Sequence, residues 1–351
     1  VRKLDFLVPG RLDQITGGYL FDRRIVEGLG EVGRIVAVHE LAGRHPDADG
    51  VARDAVAAAL ASLPDGSPVV LDGMVLPAAA ECLAREAERL RLVAFVHHPL
   101  ALETGLSGAQ SARLAALERR LLPLLRGAIC PSPATEAALV AYGLAPQRIA
   151  IVPPGTGNGI APGNPDVSGG PVRLLTVATL TPRKGHLVLA AALARIAELD
   201  WRWQCVGSLD RDPATTAALR EFVARHDLAD RVTLAGEFPP DAIATAYCAA
   251  DCFVLPSFHE GYGMAFAEAL AHGLPIVACR AGAVPDLVPD SAGILVPPGD
   301  DAALASALRQ VIADPVLRRD LAAGAALAGV ALPDWPESVA LWAAAFDRLT
   351  A

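Results

Sequence analysis

Nowhere does this chain reach the roughly 20 consecutive apolar residues that a membrane-spanning helix needs. Its opening, VRKLDFLVPG, reads as a strand, so no signal peptide is expected. Cys-x-x-Cys is also missing. Six cysteines are scattered at 82, 130, 205, 248, 252 and 279. Cys248 and Cys252 sit one helical turn apart, but without His or carboxylate partners all six read as small buried side chains in a reducing, cytoplasmic setting. Basic charge is scarce: 30 Lys and Arg stand against 39 Asp and Glu, a net charge of −9. That argues against a phosphate-coated protein, and no nucleic-acid partner is expected, although a local basic patch stays open. There is no short-period repeat.

What the chain does have is alternation. Its 351 residues suffice for two domains with separate cores, and 53% apolar with 20% charged residues suits a globular enzyme. Short β-branched runs occur at 4–9, 34–40, 67–73, 91–98, 127–132 and 148–155. Ala- and Leu-rich stretches of helical period lie between them, including 51–63, 77–90 and 111–127. VPPGTGNGIAPGNPDVSGGP (152–171) is too rich in Gly, Pro and Asn for a regular element and reads as a linker. The alternation then restarts, with runs at 172–179, 203–207, 231–237, 251–257, 275–280 and 293–298. Two doubly wound, Rossmann-like α/β domains facing across a cleft are expected, at 1–160 and 161–334. Ligands of such sheets bind at the carboxyl ends of the strands.

The stretch PSFHEGYGMAFAEALAHGLPIVA (256–278) carries the most chemistry. A strand leads into the loop HEGYG, then into a helix stopped by Gly273 and Pro275. Phe266, Ala269 and Leu270 follow a core-facing spacing, so Glu268 points away from the core beside Met264. A glycine-preceded helix start suits a phosphate, a carboxylate further along suits ribose hydroxyls, and Glu260 projects to where an attached sugar would sit. The plain alternative is a solvated Glu268 and a loop charge at Glu260. GYGMAF also imitates part of a dinucleotide fingerprint, but Phe266 stands at its third glycine.

VATLTPRKGHLVL (177–189) places Arg183 and Lys184 after the first strand of the second domain, as partners for a diphosphate leaving group, or as an ordinary solvated turn. Asp47/Asp49 and Asp210/Asp212 match Asp-x-Asp, but in polar loops; no metal is expected. In QITGGYL (14–20), Gly17 and Gly18 allow backbone to approach a ligand. VHHPLALETG (96–105) offers His97, His98 and Glu103 at another strand end, for function or for structural hydrogen bonds.

Together, LTPRKGH, PSFHEGYGMAFAEALAHGLPIVA, RAGAVPDLV and GILVPPGD, in that order over about 172–312, resemble the retaining glycosyltransferases of family 4, which have the GT-B fold. TGGY, VHH and CPSPATEAAL resemble the family more loosely. The resemblance implies that Glu260 contacts the donor sugar, Glu268 the nucleotide ribose and Lys184 the diphosphate, with His97 near the transferred sugar. It also implies that backbone of Gly261, Tyr262, Gly263 and Met264 serves the phosphates and sugar, and that the base lies near Glu237 and Phe238. His98 and Glu103 become acceptor-side candidates. The helix at 335–351 is expected to pack back on the first domain. Ala178-Thr179 stands where the family often has Gly-Arg, so the diphosphate arginine is either Arg183 or missing, and Asp286 replaces a usual Glu.

The implied activity is metal-independent transfer, with retention, of a hexose from a UDP- or GDP-sugar, a co-substrate, to an acceptor hydroxyl. No cofactor is expected. The acceptor would be a small molecule, a glycan or a lipid-linked sugar. Arg113, Arg119, Arg120 and Arg126 offer contact with the inner membrane face, but a packed helix with a charged outer side is the favoured reading. A sugar phosphorylase, a nucleotide-sugar epimerase and a non-catalytic binding module are the alternatives.

Overall fold

The computed structural model describes residues 3–103, 105–157 and 170–351. Most of the linker expected at 152–171 lies outside them. The chain forms two compact units, Val1–Gly155 with Pro333–Ala351, and Thr156–Leu332.

In the first unit the strands are β1 (Lys3–Pro9), β2 (Ile35–Leu41), β3 (Pro68–Asp72), β4 (Arg91–Phe95), β5 (Gly127–Cys130) and β6 (Ile149–Ile151). They pair in the order β2-β1-β3-β4-β5-β6, all parallel. The second unit holds β7 (Val172–Val177), β8 (Trp201–Val206), β9 (Val232–Gly236), β10 (Cys252–Leu255), β11 (Ile276–Cys279) and β12 (Gly293–Val296). Their order is β12-β11-β10-β7-β8-β9, again all parallel. Every β-branched run read from the sequence is one of these strands. Continuous apolar runs form here because helices cover both faces of each sheet, so side chains of either parity are buried.

Helix starts follow local chemistry. Asp49, Asp212, Asp300 and Asp314 each accept a backbone N–H at a helix N-terminus, and Ser107 with Gln110 and Asp334 with Glu337 form capping boxes. Two helices differ from the sequence reading. The stretch 77–90 breaks into Leu76–Ala79 and Leu83–Arg89. The one expected over 111–127 runs Gly108–Leu121 and gives way to a 3₁₀ turn containing Pro123, which cannot donate a helical hydrogen bond. On it, Arg113 pairs with Asp47 and Arg119 lies over the Tyr142 ring. Cys248 and Cys252 are not on one helix: Cys248 is exposed on the helix Pro240–Ala249 and Cys252 is buried in β10. No helix among the described residues is long and apolar enough to cross a membrane.

The last helix, Trp335–Thr350, belongs to the first unit. Trp342 is fully buried and stacks on Phe6 and Phe346, with its edge contact to Phe95 at 5.9 Å. Arg34 binds Asp347 through two 2.8 Å hydrogen bonds, and Ser338 Oγ donates to Pro153 O. A Cβ on Gly28 would lie 2.4 Å from Val339 Cγ2, so the first helix, Gly17–Glu31, meets the last through a glycine.

Candidate active site

In the second sheet the winding reverses between β7 and β10, and ligands of such sheets bind beyond the carboxyl ends of the strands at that point. The loop after β7 carries Arg183 and Lys184 in a 3₁₀ turn, Pro182–Lys184; the loop after β10 carries Ser257 and Glu260. Phe258 N donates to Arg183 O at 2.8 Å and Arg183 Nη1 returns a bond to His259 O at 2.9 Å, tying the loops together. Lys184 Nζ then reaches Glu260 Oε1 at 2.7 Å, and Ser257 Oγ donates to the same oxygen at 2.6 Å. Arg183 Nη1 lies 3.6 Å from Oε2. Glu260 is only 6% exposed. Burial works against its charge, but Lys184 and Arg183, with the hydrogen bonds of Lys184 and Ser257, hold the carboxyl below its ordinary value. Of the four residues predicted for the reacting end of the donor, Arg183, Lys184 and Glu260 thus form one cluster, while His97 belongs to the first unit.

Two glycines make this cluster possible. Gly185 has φ +70° and a Cβ there would lie 2.1 Å from Pro256 O. Gly282 has φ +56°, and its Cβ would lie 2.1 Å from Glu260 O. Both conformations disfavour any other residue, and both close approaches need a missing side chain. The RKGH and RAGAVP glycines are therefore what let the β7 loop and the segment after β11 close on Glu260. Ala283 N completes the support by donating to Glu260 O at 2.9 Å.

Glu268 sits one turn along the helix Met264–Ala271 that starts behind Gly263. It is half-buried rather than solvated. Tyr247 Oη donates to Glu268 Oε2 at 2.8 Å and lies 3.1 Å from Ala265 O. Tyr247 is 1% exposed and stacks on His272 with ring centroids 4.8 Å apart. Burial raises the Glu268 carboxyl, opposed by the tyrosine's hydrogen bond. Tyr247 is a residue that sequence reasoning missed; in the run AYCAAD it looks like any core aromatic. Tyr262 is half-buried, its phenol pushed up to about 12 by burial. Glu237, exposed, and Phe238, half-buried, follow β9 at the sheet's edge, apart from the cluster.

In the first unit, His97 leaves β4 and its Nε2 lies 2.9 Å from Asp22 Oδ1 and 3.4 Å from Asp72 Oδ2. Asp22 comes from the helix Gly17–Glu31, and Asp72 ends β3 and caps the next turn through Met74 N at 2.7 Å. Gly18 makes room for the imidazole: a Cβ there would stand 3.2 Å from His97 Cδ2. Gly17 opens the same helix. His98 Nε2 pairs with Glu103 Oε2 at 3.3 Å. Neither aspartate was a sequence candidate. Asp22 had a signal, since it shares the buried stripe of Ile25 and Leu29. Of the Asp-x-Asp residues, Asp49 and Asp212 cap helices and Asp47 pairs with Arg113.

Residues 171–314 match the family described as Glycosyl transferases group 1, and residues 69–156 match Glycosyltransferase Family 4. The chain belongs to the family 4, group 1 glycosyltransferases, a family of transferase enzymes. It is 34% identical over 200 residues to a D-inositol 3-phosphate glycosyltransferase of Acidothermus cellulolyticus, covering 52% of this chain and 44% of that one. Over 148 residues it is 36% identical to the amylovoran biosynthesis glycosyltransferase AmsK of Erwinia amylovora, covering 39% and 35%. The chain thus spans less than half the length of these curated relatives. Its fold is GT-B. Sucrose-phosphate synthase from Thermosynechococcus elongatus superposes with a TM-score of 0.84 at 22% identity, covering 99% of both chains. Anabaena HepE, solved in complex with UDP and glucose, superposes at 0.76 with 20% identity, covering 98% of this chain and 99% of the other.

Proposed function

We propose that this protein transfers a hexose from a UDP- or GDP-sugar to an acceptor hydroxyl, with retention and without a metal. The observation that carries the reading is the Arg183–Lys184–Glu260 cluster at the winding reversal of the second sheet. An ammonium has three donors, so Lys184 can serve a carboxylate and a phosphate oxygen together. Lys184 and Arg183 balance charge on the departing diphosphate, the part a metal would otherwise play. Glu260, held ionised, accepts from hydroxyls of the donor sugar. Glu268 accepts from the ribose, with the nucleotide's base near Glu237 and Phe238 and its phosphates along the backbone of Gly261 to Met264. In the first unit, His97 contacts the transferred sugar and His98 and Glu103 lie on the acceptor side.

The bond from the anomeric carbon to the phosphate oxygen breaks as the acceptor oxygen bonds to that carbon from the same face. The acceptor's proton passes to the departing phosphate oxygen, so no separate side-chain base is required. Soluble acceptors are the first choice. D-inositol 3-phosphate, which the relatives' name carries, heads the panel, followed by glycans and lipid-linked sugars.

The test is nucleotide release from UDP-, GDP- and ADP-sugars with chelator present, with and without each acceptor. Release from one donor, with an α-linked product from an α-linked donor, is expected. Phosphorolysis or epimerisation without an acceptor would replace the reading by another GT-B chemistry, and the absence of binding to any donor by calorimetry would end it. Tyr247→Phe is a sharper probe of the Glu268 role. Losing one hydrogen bond to a carboxylate should raise the donor KM about 5- to 10-fold with little change in kcat. An unchanged KM would remove Glu268 from the ribose.

A further inference from the structure

We propose that Asp22 and Asp72 are positioning residues for His97, clamping its Nε2–H so that the ring stays an imidazolium and presents Nδ1–H as a fixed hydrogen-bond donor to an oxygen of the bound substrate. This rests on the proposed function for what the donor serves. The clamp itself rests on geometry.

Asp22 is 1% exposed and Asp72 is 3% exposed, so neither carboxylate can take its solvation from water. Both aim at one ring nitrogen, at 2.9 and 3.4 Å. A neutral imidazole would leave two buried carboxylates facing a single uncharged N–H, and buried charges persist only when compensated. A cationic ring supplies that compensation. The 2.9 Å contact is the length of a charge-assisted N–H···O bond. Two tilted aromatic rings pack beside the imidazole, with the Phe95 and Phe21 centroids 4.6 and 5.9 Å from its own.

The remaining nitrogen, Nδ1, has no protein partner among the described residues, on a side chain that is 18% exposed. Its direction is set because Gly18 and Phe95 pack against the ring and the carboxylates hold its far corner. The charged groups around it are Asp22 from the helix Gly17–Glu31, Asp72 from the end of β3, and the adjoining His98–Glu103 pair.

The acid–base properties agree. Burial disfavours the charged ring, but the charge and hydrogen bond of Asp22, seconded by Asp72, push His97 up to about 10. Burial pushes Asp22 up to about 7, against the pull of His97 and with the help of Asp72. The two aspartates and the ring thus titrate as one coupled cluster in which the proton is favoured on His97. Asp22 Oδ2 is buried and has no hydrogen-bond partner among the described residues. A histidine so held cannot act as a general base near neutral pH. It acts as a permanent donor, and its charge is part of the site's field.

The three donor atoms lie within 4.8 Å of one another, so a divalent cation is the competing occupant. Nitrogen-15 spectra of the purified wild-type chain, with His97 assigned against His97→Gln, distinguish the two. The expected result is a ring protonated on both nitrogens from pH 6 to 9 (the range probed, about a unit or more below the ring's midpoint). In Asp22→Asn, loss of one counter-charge should lower that midpoint by about 1–3 units. With the responsive donor, kcat of Asp22→Asn about one pH unit above that lowered midpoint should then lie about 10-fold below its own acid plateau, with the donor KM within about threefold of wild type.

A neutral His97 in the wild type at pH 7 overturns the clamp. So does one equivalent of bound metal whose removal alters the His97 signals. A shifted midpoint with unchanged kcat overturns its role in the reaction. The spectra need no turnover, so if no donor reacts, the functional reading fails while the clamp is still judged. Asp72→Asn and the wild-type spectrum keep the test decisive if Asp22→Asn does not fold.

Discussion

Lys184→Ala is expected to lower kcat/KM for the responsive donor by about 10²–10³, the scale of removing one preorganised charge from a developing oxyanion. The same change strands a carboxylate. Glu260 is buried, Lys184 is its 2.7 Å partner, and Arg183 at 3.6 Å with Ser257 at 2.6 Å remain. Breaking a buried pair from one side costs about 3–5 kcal/mol, so the variant should also unfold at lower urea. Two effects in one substitution are separated by the double variant Lys184→Met with Glu260→Gln. Removing both charges should return much of the stability and none of the turnover. Turnover recovered along with stability would show the cluster to be structural.

The same cluster predicts a pH dependence with a definite sign. The Glu260 carboxyl is held below its ordinary 4.5 in the folded chain. Its contribution to stability is therefore fully present above that unfolded value and is lost as pH falls through the folded one. In Glu260→Gln the acid limb of a stability–pH curve below about pH 4.5 should flatten relative to wild type. An equally steep limb would assign acid sensitivity to other carboxylates.

Trp342→Ala is the second large effect expected, and it bears on the stability of the first unit. Trp342 is fully buried between Phe6, Phe95 and Phe346, and its Nε1 has no hydrogen-bond partner among the described residues. What it supplies is apolar area and aromatic packing alone. Truncation should cost about 3–5 kcal/mol and lower the melting temperature of the first unit by about 10 °C. Trp342→Phe keeps the stack without losing a hydrogen bond and should cost about 1–2 kcal/mol. Limited proteolysis should release the last helix in the alanine variant first. Because Phe95 also backs the His97 ring at 4.6 Å, the alanine variant should broaden the His97 signals even where the fold survives. A melting temperature within a degree or so of wild type would mean the helix is held by its rim contacts, Arg34–Asp347 and Ser338–Pro153, rather than by this side chain.

Much of the architecture was legible before any coordinates. Strands buried on both faces announce themselves as short apolar runs, and each helix start with Asp or Ser carries its cap within three or four residues. The placement of Arg183, Lys184 and Glu260 was legible too, because each follows a strand's carboxyl end just before a helix start, a relation visible over a dozen residues, with Glu268 one turn further along its helix. Tyr247 was not, since nothing near it says that a helix twenty residues on will place a carboxylate at its hydroxyl. Asp22 and Asp72 were missed for the same reason: one lies on a helix face, the other at the end of a strand, and their common partner is His97.

The sequence by itself determined which segments are strands and helices, where most of them stop, and which residues follow the carboxyl ends of the strands, because periodic burial, capping and glycine placement act locally. Tertiary structure alone decided the strand order, the pairing of Lys184 with Glu260 across 76 residues and the meeting of Asp22 with His97 across 75. Parallel strands have no hairpin to fix their neighbours. Their order, and every charge pair it creates, follows from how the whole set of helices buries two faces of a sheet at once.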